Sequence, residues 1–380
     1  MTSRLHPTTR WLYQQVWKAL KKVGIAGSVS PLTFSLIAIY VSGLILLDHR
    51  QTGERIASWL PGRAHDAINR LLRTQPLSTR KLMSCLIQWL PHLGKGYLAV
   101  DDVVVEKPYS KQCAWMGWTY STSKQRKAHG FHVVVLLWCS GFWRIPVAFR
   151  IWRPKKKSSV QYYHKKTTLA EEMIVEVVQQ GLQFEYVTGD TLYSGGHLAK
   201  MVNRMGLDWV GVLHPKTMVY YRNKKWQVAE LEQCLKLKWR KHLGVRAASI
   251  VAYLPKYGTL RLAVTKNRHG NIEVLATYDL DCDLTTIVRR KRSRWSIETL
   301  FKDVKLLGGL SACQCRVDQA LVRHVAFVLL AFVVLQCLRL RPEETLGEVK
   351  ERIQRKTFLG DVSDPIPLRG KVPLSHFLTA

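Results

Sequence analysis

The order of helix-like and strand-like segments is the feature that most constrains the fold of this 380-residue chain. Residues 1 to about 90 carry helical patterns only, with one helix starting at Ser30-Pro31 and two more over 62–72 and 77–90; 53–56 is expected to be a connection. From Gly96 onward the pattern changes to strands, with a hairpin around Ser140-Gly141, and strands then alternate with helices. This order predicts an α/β fold: a mixed sheet flanked by helices, preceded by an all-α N-terminal domain.

Two apolar stretches, 32–47 and 325–338, raise the question of a membrane. Each is shorter than the roughly 20 residues that a spanning helix needs. Asp48, His49 and Arg50 close the first stretch, and Arg323 and His324 open the second. We therefore expect two buried core helices and no membrane partner.

The charge balance indicates a polyanionic partner. Lys and Arg number 58 against 27 Asp and Glu, which gives a formal charge of +31. Basic residues recur along the whole chain, a distribution that favours extended duplex DNA over a small anionic metabolite. A ribosome-associated or chromatin-packing protein is the alternative, but 13 Trp and 47% apolar residues favour a chain with a large core. The eight scattered cysteines form no disulfide framework or zinc motif, which is typical of a reducing cytoplasm.

Acidic residues within or beside apolar strands are the first candidates for a site. Asp101 and Asp102 interrupt the apolar run 97–105, and a charge there is costly unless it is paired or metal-bound. Side chains alternate along a strand, so only one of the two can face a given side. We favour Asp101 and keep Asp102 as the alternative. Asp190 follows the strand 184–189, where α/β sheets place ligands, although capping of the next helix explains it equally well.

A charged stripe lies on a helix predicted over about 285–307. Arg294, Glu298, Lys302 and Lys305 share one face at helical spacing, whereas Ile297 and its apolar neighbours occupy another. Glu298 could bind a divalent metal while the cations neutralise phosphates. A solvated, salt-bridged helix face is the ordinary alternative.

Three carboxylates at one edge of a sheet would repel one another unless a cation lies among them. Mg²⁺ or Mn²⁺ satisfies such oxygen ligands, and two ions ~3.5–4 Å apart can activate an attacking hydroxyl and stabilise a leaving oxygen. The residues thus predict metal-dependent phosphoryl transfer on DNA.

The order of these acids carries a resemblance. Asp101 on a first strand, Asp190 after a later strand, and Arg-x3-Glu-x6-Lys on a helix resemble the catalytic core of bacterial insertion-sequence DDE transposases of RNase H-like fold. The resemblance spans about 95–340 and is to the branch with a β-rich insertion between the second Asp and the Glu. That branch has a Tyr three residues before the Arg, where this chain has Lys291.

The resemblance implies that Asp101, Asp190 and Glu298 bind the metal ions and that Arg294 and Lys305 contact the transposon end. It also implies cut-and-paste chemistry on double-stranded DNA: water cleaves one strand, the freed 3′ hydroxyl attacks the opposite strand to form a hairpin end, and the end then joins target DNA. A homodimer acting in the bacterial cytoplasm, at the nucleoid, is expected.

Further DNA contacts are predicted outside the acids. A bent DNA end usually needs an aromatic platform for a flipped base, and Trp226 and Trp239 are candidates, with ordinary packing as the alternative. Arg316 follows the Gly308-Gly309 helix stop and is a candidate to lie beside the active centre, with an ordinary surface cation as the alternative. His324 is expected to be a hydrogen-bonded core residue. The full set of predicted DNA-binding residues is Lys291, Arg294, Lys302, Lys305, Arg316, Trp226 and Trp239.

The predicted domain division follows from these patterns. The N-terminal helices are expected to bind DNA, with a dimerisation module as the alternative, and the basic, Trp-bearing segment 217–258 interrupts the α/β rhythm as an insertion. The predicted segments are a helical domain (1–90), the first part of the RNase H-like core (91–216), the insertion (217–258), the second part of the core with the Glu298 helix (259–345) and a C-terminal tail (346–380).

A DNA transposase is the expected function. The alternatives are an RNase H-fold nuclease or resolvase, and a non-catalytic DNA-binding protein with structural acids.

Overall fold

The fold is that of a computed structural model, which describes residues 7–48, 51–59, 65–108, 110, 113, 115–121, 125–155, 163–312 and 314–359. The helices are α1 (Pro7–Lys22), α2 (Pro31–Leu46), α3 (Gly53–Trp59), α4 (His65–Arg73), α5 (Thr79–Trp89), α6 (Lys166–Gln179), α7 (Gly196–Arg204), α8 (Leu284–Ser293), α9 (Trp295–Leu306), α10 (Asp318–Cys337) and α11 (Leu346–Leu359). The strands are β1 (Tyr97–Glu106), β2 (Gly117–Ser121), β3 (Arg126–Ser140), β4 (Trp143–Trp152), β5 (Tyr186–Gly189), β6 (Asp208–Val212), β7 (Met218–Tyr221), β8 (Lys224–Gln227), β9 (Lys238–Arg240), β10 (Val245–Leu254), β11 (Gly258–Lys266) and β12 (Ile272–Thr277).

All twelve of these strands belong to one mixed sheet. Its order is β2-β3-β1-β5-β6-β12-β11-β10-β7-β8, with β4 also paired to β3 and β9 to β10. Strand β1 is antiparallel to β3 but parallel to β5, and β5 is parallel to β6. The path β4-β3-β1-β5-β6 confirms the predicted RNase H-like mixed sheet.

Helices cover both faces of this sheet. On one face α9 packs on β1, α8 packs on β5, β6 and β12, and α5 and α10 pack on β4. On the other face α6 packs on β3 and β4, and α7 packs on β6. The carboxyl ends of β1 and β5 therefore open beside α9 on one side and α6 on the other.

The two long apolar stretches form the centre of the helical layer. Helices α2 and α10 pack against each other, and nearly every side chain of both is buried, which confirms the predicted core helices. Among the described residues, one helix, α10, has the length and apolar composition that would allow it to cross a membrane. However, 89% of its apolar stretch is buried inside the protein. His324 on α10 is a bonded core residue, as expected, with Tyr40 Oη 2.9 Å from Nδ1 and the Gly309 carbonyl oxygen 3.2 Å from Nε2.

The N-terminal part is helical, as predicted, but one connection was assigned wrongly. Residues 53–59 form α3, because the Thr52 hydroxyl accepts the Arg55 amide at 3.2 Å and so caps the helix. The start of α2 matches the prediction, with Ser30 accepting the Thr33 amide.

Segments predicted as an insertion and as a tail are joined to the rest of the molecule. Strands β7 to β10 extend the main sheet through β11, although the predicted boundary at 258 coincides with the β10–β11 turn. Helix α11 packs on α1, α2 and α10, whereas 360–380 lies outside the described residues. The division into domains stays a prediction.

Candidate active site

Two acids lie side by side where the parallel pairing of two neighbouring strands stops: Asp101 is in the middle of β1, and Asp190 directly follows β5. Leu98 pairs with Val187 and Val100 with Gly189, so one further residue along each strand brings Asp101 next to Asp190. This is the edge at which open α/β sheets bind ligands. The sequence predicted both acids, and the parallel register explains why they meet.

Asp190 is held by a tight turn. Its Oδ1 accepts the amides of Leu192 and Tyr193 at 2.9 and 3.2 Å, and Ser194 Oγ donates to its carbonyl oxygen at 2.6 Å. A Cβ at Gly189 would lie 2.8 Å from the Tyr193 Cβ, so the turn requires glycine there. The capping interpretation of Asp190 therefore holds for one carboxylate oxygen. Within the described part of the chain, the other oxygen accepts no hydrogen bond.

Arg294 connects Asp101 to Glu298. Its Nη1 donates to Asp101 Oδ2 at 3.0 Å, and its Nη2 pairs with Glu298 Oε1 on the first turn of α9. The arginine and Asp101 side chains are 17% and 16% exposed. The helix predicted over 285–307 is interrupted at this residue, since α8 ends at Ser293 and α9 begins at Trp295. Arg294 thus holds Glu298 near the edge of the sheet at which Asp101 and Asp190 lie.

Two stacked tyrosines anchor this helix junction, and no pattern in the sequence singles them out. The rings of Tyr97 and Tyr186 lie 5.0 Å apart with planes 4° apart. Tyr97 Oη donates to the Ser293 carbonyl at 3.0 Å and lies 2.8 Å from Ser296 Oγ, while Tyr186 Oη lies 3.0 Å from Ser293 Oγ. By strand alternation Tyr97 shares its face of β1 with Asp101, and Tyr186 shares its face of β5 with Asp190. To predict this pair, one would need to know the register of β1 against β5, which the sequence does not give.

Asp102 faces the other side of the sheet and is surrounded by donors. Lys166 Nζ and His132 Nδ1 lie 2.6 and 2.8 Å from its Oδ2, and Tyr193 Oη donates to its Oδ1 at 2.9 Å. Tyr193 therefore links the two strands, because its amide binds Asp190 and its hydroxyl binds Asp102.

The neighbouring acids differ in protonation. Burial raises the pKa of Asp101 to about 7, the negative charge of Asp190 adds to the rise, and Arg294 opposes it. Burial also raises the pKa of Asp190, against the hydrogen bonds from its turn. Burial would raise the pKa of Asp102 too, but the His132 hydrogen bond and the Lys166 charge lower it to about 2. Asp101 and Asp190 are thus two crowded carboxyls that a cation would stabilise, whereas Asp102 already has its cation.

The donor chemistry fits a divalent metal ion. Asp101, Asp190 and Glu298 offer carboxylate oxygens, the ligands that Mg²⁺ and Mn²⁺ prefer. Among the described residues, no three His, Cys, Asp or Glu side chains are close enough to hold one metal ion together. The Arg294 guanidinium supplies positive charge between Asp101 and Glu298, so joint binding by all three acids requires this arginine to move.

The predicted DNA-binding cations lie in different surroundings. Lys302 and Arg316 are exposed, and Lys305 is half-buried. Lys291 pairs with Glu273 at 2.6 Å.

The two predicted aromatic contacts also differ. Trp226 is half-buried and packs against the core, whereas Trp239 is 46% exposed with the Arg268 guanidinium 5.5 Å from the centre of its ring.

The fold and the acids define a class: an RNase H-like sheet with two carboxylates side by side where its central parallel strands stop pairing. A family model described as DDE superfamily endonuclease matches residues 33–233, and the chain belongs to this family. The matched range includes Asp101 and Asp190 but ends before Glu298. Endonucleases of this superfamily generally use divalent metal ions.

Two solved transposase structures resemble the fold weakly. One, described as a piggyBac transposase synaptic complex with hairpin DNA, is 12% identical, with 96% of this chain and 84% of that chain covered and a TM-score of 0.46. The other, a Drosophila P element transposase strand transfer complex, is 8% identical, with 84% and 78% covered and a TM-score of 0.23. No curated protein matches the chain.

Proposed function

We propose that this protein is a DNA transposase that binds the ends of an insertion sequence, cleaves them by metal-dependent phosphoryl transfer and joins them to target DNA. The observation that carries the proposal is the register of β1 on β5, which sets Asp101 beside Asp190, with Arg294 linking Asp101 to Glu298. Membership of an endonuclease family supports the cleavage step.

Asp101, Asp190 and Glu298 would hold the metal ions. When bound, Mg²⁺ or Mn²⁺, as a pair of ions in the proposed mechanism, would activate the attacking oxygen and stabilise the leaving oxygen. The Asp190 turn fixes one carboxylate with backbone amides, and the tyrosine pair fixes the helix that carries Glu298. Arg294, once released from the acids, would neutralise a DNA phosphate.

We also propose that the same site cleaves DNA through hairpin ends. Water would attack phosphorus on one strand and break its bond to the 3′ oxygen, which leaves as a 3′ hydroxyl. This hydroxyl would attack a phosphorus of the opposite strand, which closes the hairpin end and releases the 3′ hydroxyl of the flanking DNA. Two copies of the chain, one at each DNA end, would form the active complex in the cytoplasm, at the nucleoid. The formal charge of +31 supports a long DNA contact.

An excision and joining assay tests the proposal. A plasmid carrying the coding sequence with its natural flanking DNA is introduced into cells with wild-type protein, Asp190→Asn or Glu298→Gln. We expect excised donor and joined target products with wild-type protein only. Cleaved ends that never join would instead indicate an RNase H-fold nuclease, and equal products from all three proteins would mean that the acids are structural.

A further inference from the structure

The β2–β3 hairpin extends beyond the strand that carries Asp101. Strand β1 ends at Glu106, opposite Gly130 of β3, and β2 begins at Gly117 on the other side of Gly130. From Arg126 to Ala128, β3 pairs with β2 alone among the described residues, whereas the His129 carbonyl oxygen still accepts the Lys107 amide at 2.7 Å. The hairpin therefore projects beyond the carboxyl end of β1, whereas Asp101 lies in the middle of that strand.

One face of this hairpin presents aromatic rings to solvent. Trp118 and Tyr120, two residues apart on β2, are 74% and 57% exposed. Thr119 between them points the other way, with its Oγ1 2.6 Å from His132 Nε2 in the Asp102 cluster. The buried face thus anchors the hairpin, while alternation leaves both rings on the open face.

The open face also carries positive charge. Cross-strand pairing sets Lys127 opposite Tyr120 and His129 opposite Trp118, with the His129 ring 5.5 Å from the Trp118 ring in an edge-on arrangement. Lys127 is exposed and forms no ion pair within the described residues, unlike Arg126, which pairs with Glu106 at 2.8 Å. Trp118 is the most exposed tryptophan in the described part of the chain.

We propose that Trp118 and Tyr120 form a stacking platform for unpaired bases of the DNA strand that leads away from the active site. The proposal rests on the proposed function, since it assumes a DNA substrate. Exposed aromatic rings beside a lysine are the elements with which proteins bind single strands, because every base offers a π-face and every nucleotide a phosphate. Duplex DNA hides its base faces, so the platform favours unpaired DNA.

The register of β1 and β2 on β3 gives the distance between Asp101 and the platform. Asp101 lies opposite Val135 and Trp118 opposite His129, six residues along β3. At ~3.3 Å per residue this is ~20 Å, or about six nucleotides of a stacked strand. The platform would thus contact DNA flanking the reacting phosphate.

Binding to defined oligonucleotides tests the platform in the full-length protein. Fluorescence anisotropy is measured with a labelled 20-nucleotide dT strand and with a 20-base-pair duplex of mixed sequence. Trp118→Ala and Trp118→Leu should weaken binding of the dT strand about 5- to 100-fold, whereas Trp118→Phe should keep it within about threefold, because stacking needs a ring rather than an apolar chain. Duplex affinity should change less than about twofold.

Phe358→Ala is the matched control, since Phe358 is a 46% exposed aromatic residue on α11, in the helical layer. It should bind both probes like the wild type, and thermal unfolding should show that all variants are folded. Wild-type affinity of Trp118→Leu for the dT strand, or equal losses on both probes, would overturn the proposal. So would a change of oligomeric state, because the rings would then form a contact between copies.

Failure of the platform is separable from failure of the proposed function. If single-strand binding depends on Trp118 but no excision occurs, only the transposase proposal is refuted. If excision occurs but single-strand binding does not depend on Trp118, only the platform proposal is refuted.

Discussion

Tyr97 and Tyr186 stack in parallel across two neighbouring strands, and both hydroxyls reach Ser293 at the end of α8. The residue after Ser293 is Arg294, and α9 with Glu298 begins directly beyond it. The tyrosine pair therefore sets the position of Glu298 relative to Asp101 and Asp190, which belong to the same two strands.

Loss of these hydroxyls should slow cleavage without weakening DNA binding. For Tyr97→Phe we expect a rate several-fold lower, because one hydrogen bond contributes about 1 kcal/mol to holding the junction. The double variant with Tyr186→Phe should lose more. Single-turnover cleavage and anisotropy with the same DNA measure the two effects, and a loss confined to affinity would contradict the positioning role.

Asp101 and Asp102 should respond to pH in opposite ways in metal-free protein. The raised pKa of Asp101 means that its contribution to stability is complete below about pH 4 and is lost as the pH rises to about 7. The lowered pKa of Asp102 gives a contribution present above about pH 4 and lost as the pH falls towards 2. At pH 8, Asp102→Asn should therefore destabilise the fold by about 2 kcal/mol, whereas Asp101→Asn should stabilise it. Urea unfolding of both variants measures this contrast, and equal destabilisation would argue against the two environments.

The sequence predicted the three acids but could not choose between Asp101 and Asp102. Alternation requires that they face opposite sides, and only the donors on each side tell them apart: Arg294 for Asp101, and His132, Lys166 and Tyr193 for Asp102. The mixed sheet was predictable because hydrophobic runs and turn residues are local signals. The Tyr97–Tyr186 stack was not, since it depends on register between strands far apart in the chain.

Three local features were missed for different reasons. Helix α3 begins with Gly53, which favoured a connection, yet the Thr52 cap starts a helix there. Strand β2 is only five residues long, so its alternation of aromatic Trp118 and Tyr120 with small residues was too short to stand out. The break at Arg294 left no sequence signal, because its backbone remains helical.

Arg294→Gln should change the metal dependence of cleavage. The arginine pairs with Asp101 and Glu298, and these pairs would compete with the proposed metal binding by the same oxygens. The variant should need a lower Mn²⁺ concentration for half-maximal rate, but its rate at saturation should fall because the glutamine cannot neutralise a phosphate. A Mn²⁺ titration of plasmid nicking measures both, and an increased Mn²⁺ requirement would contradict the competition.

Exposed cations near α9 should determine the salt dependence of DNA binding. Lys302→Ala and Arg316→Ala should each remove one cation that neutralises a phosphate, and each should reduce the slope of log affinity against log salt by about 1. Arg355→Ala on α11 is the control, since Arg355 pairs with Glu351 in the helical layer and should leave the slope unchanged. Identical slopes in all three variants would exclude Lys302 and Arg316 as phosphate-binding residues.

Divalent-ion-dependent cleavage by single acid variants tests the central claim most directly. DNA carrying the natural flanks of the gene is incubated with Mg²⁺, Mn²⁺ or a chelator, and products of wild-type protein, Asp101→Asn, Asp190→Asn, Glu298→Gln and Asp102→Asn are compared. We predict that wild-type protein cleaves only when the ion is present. The cleavage rate of each of the first three variants should fall at least a hundredfold (about 2.7 kcal/mol or more). Asp102→Asn should keep residual activity under conditions in which it is folded. Undiminished cleavage by Asp101→Asn or Asp190→Asn, or by wild-type protein in chelator, would contradict the account.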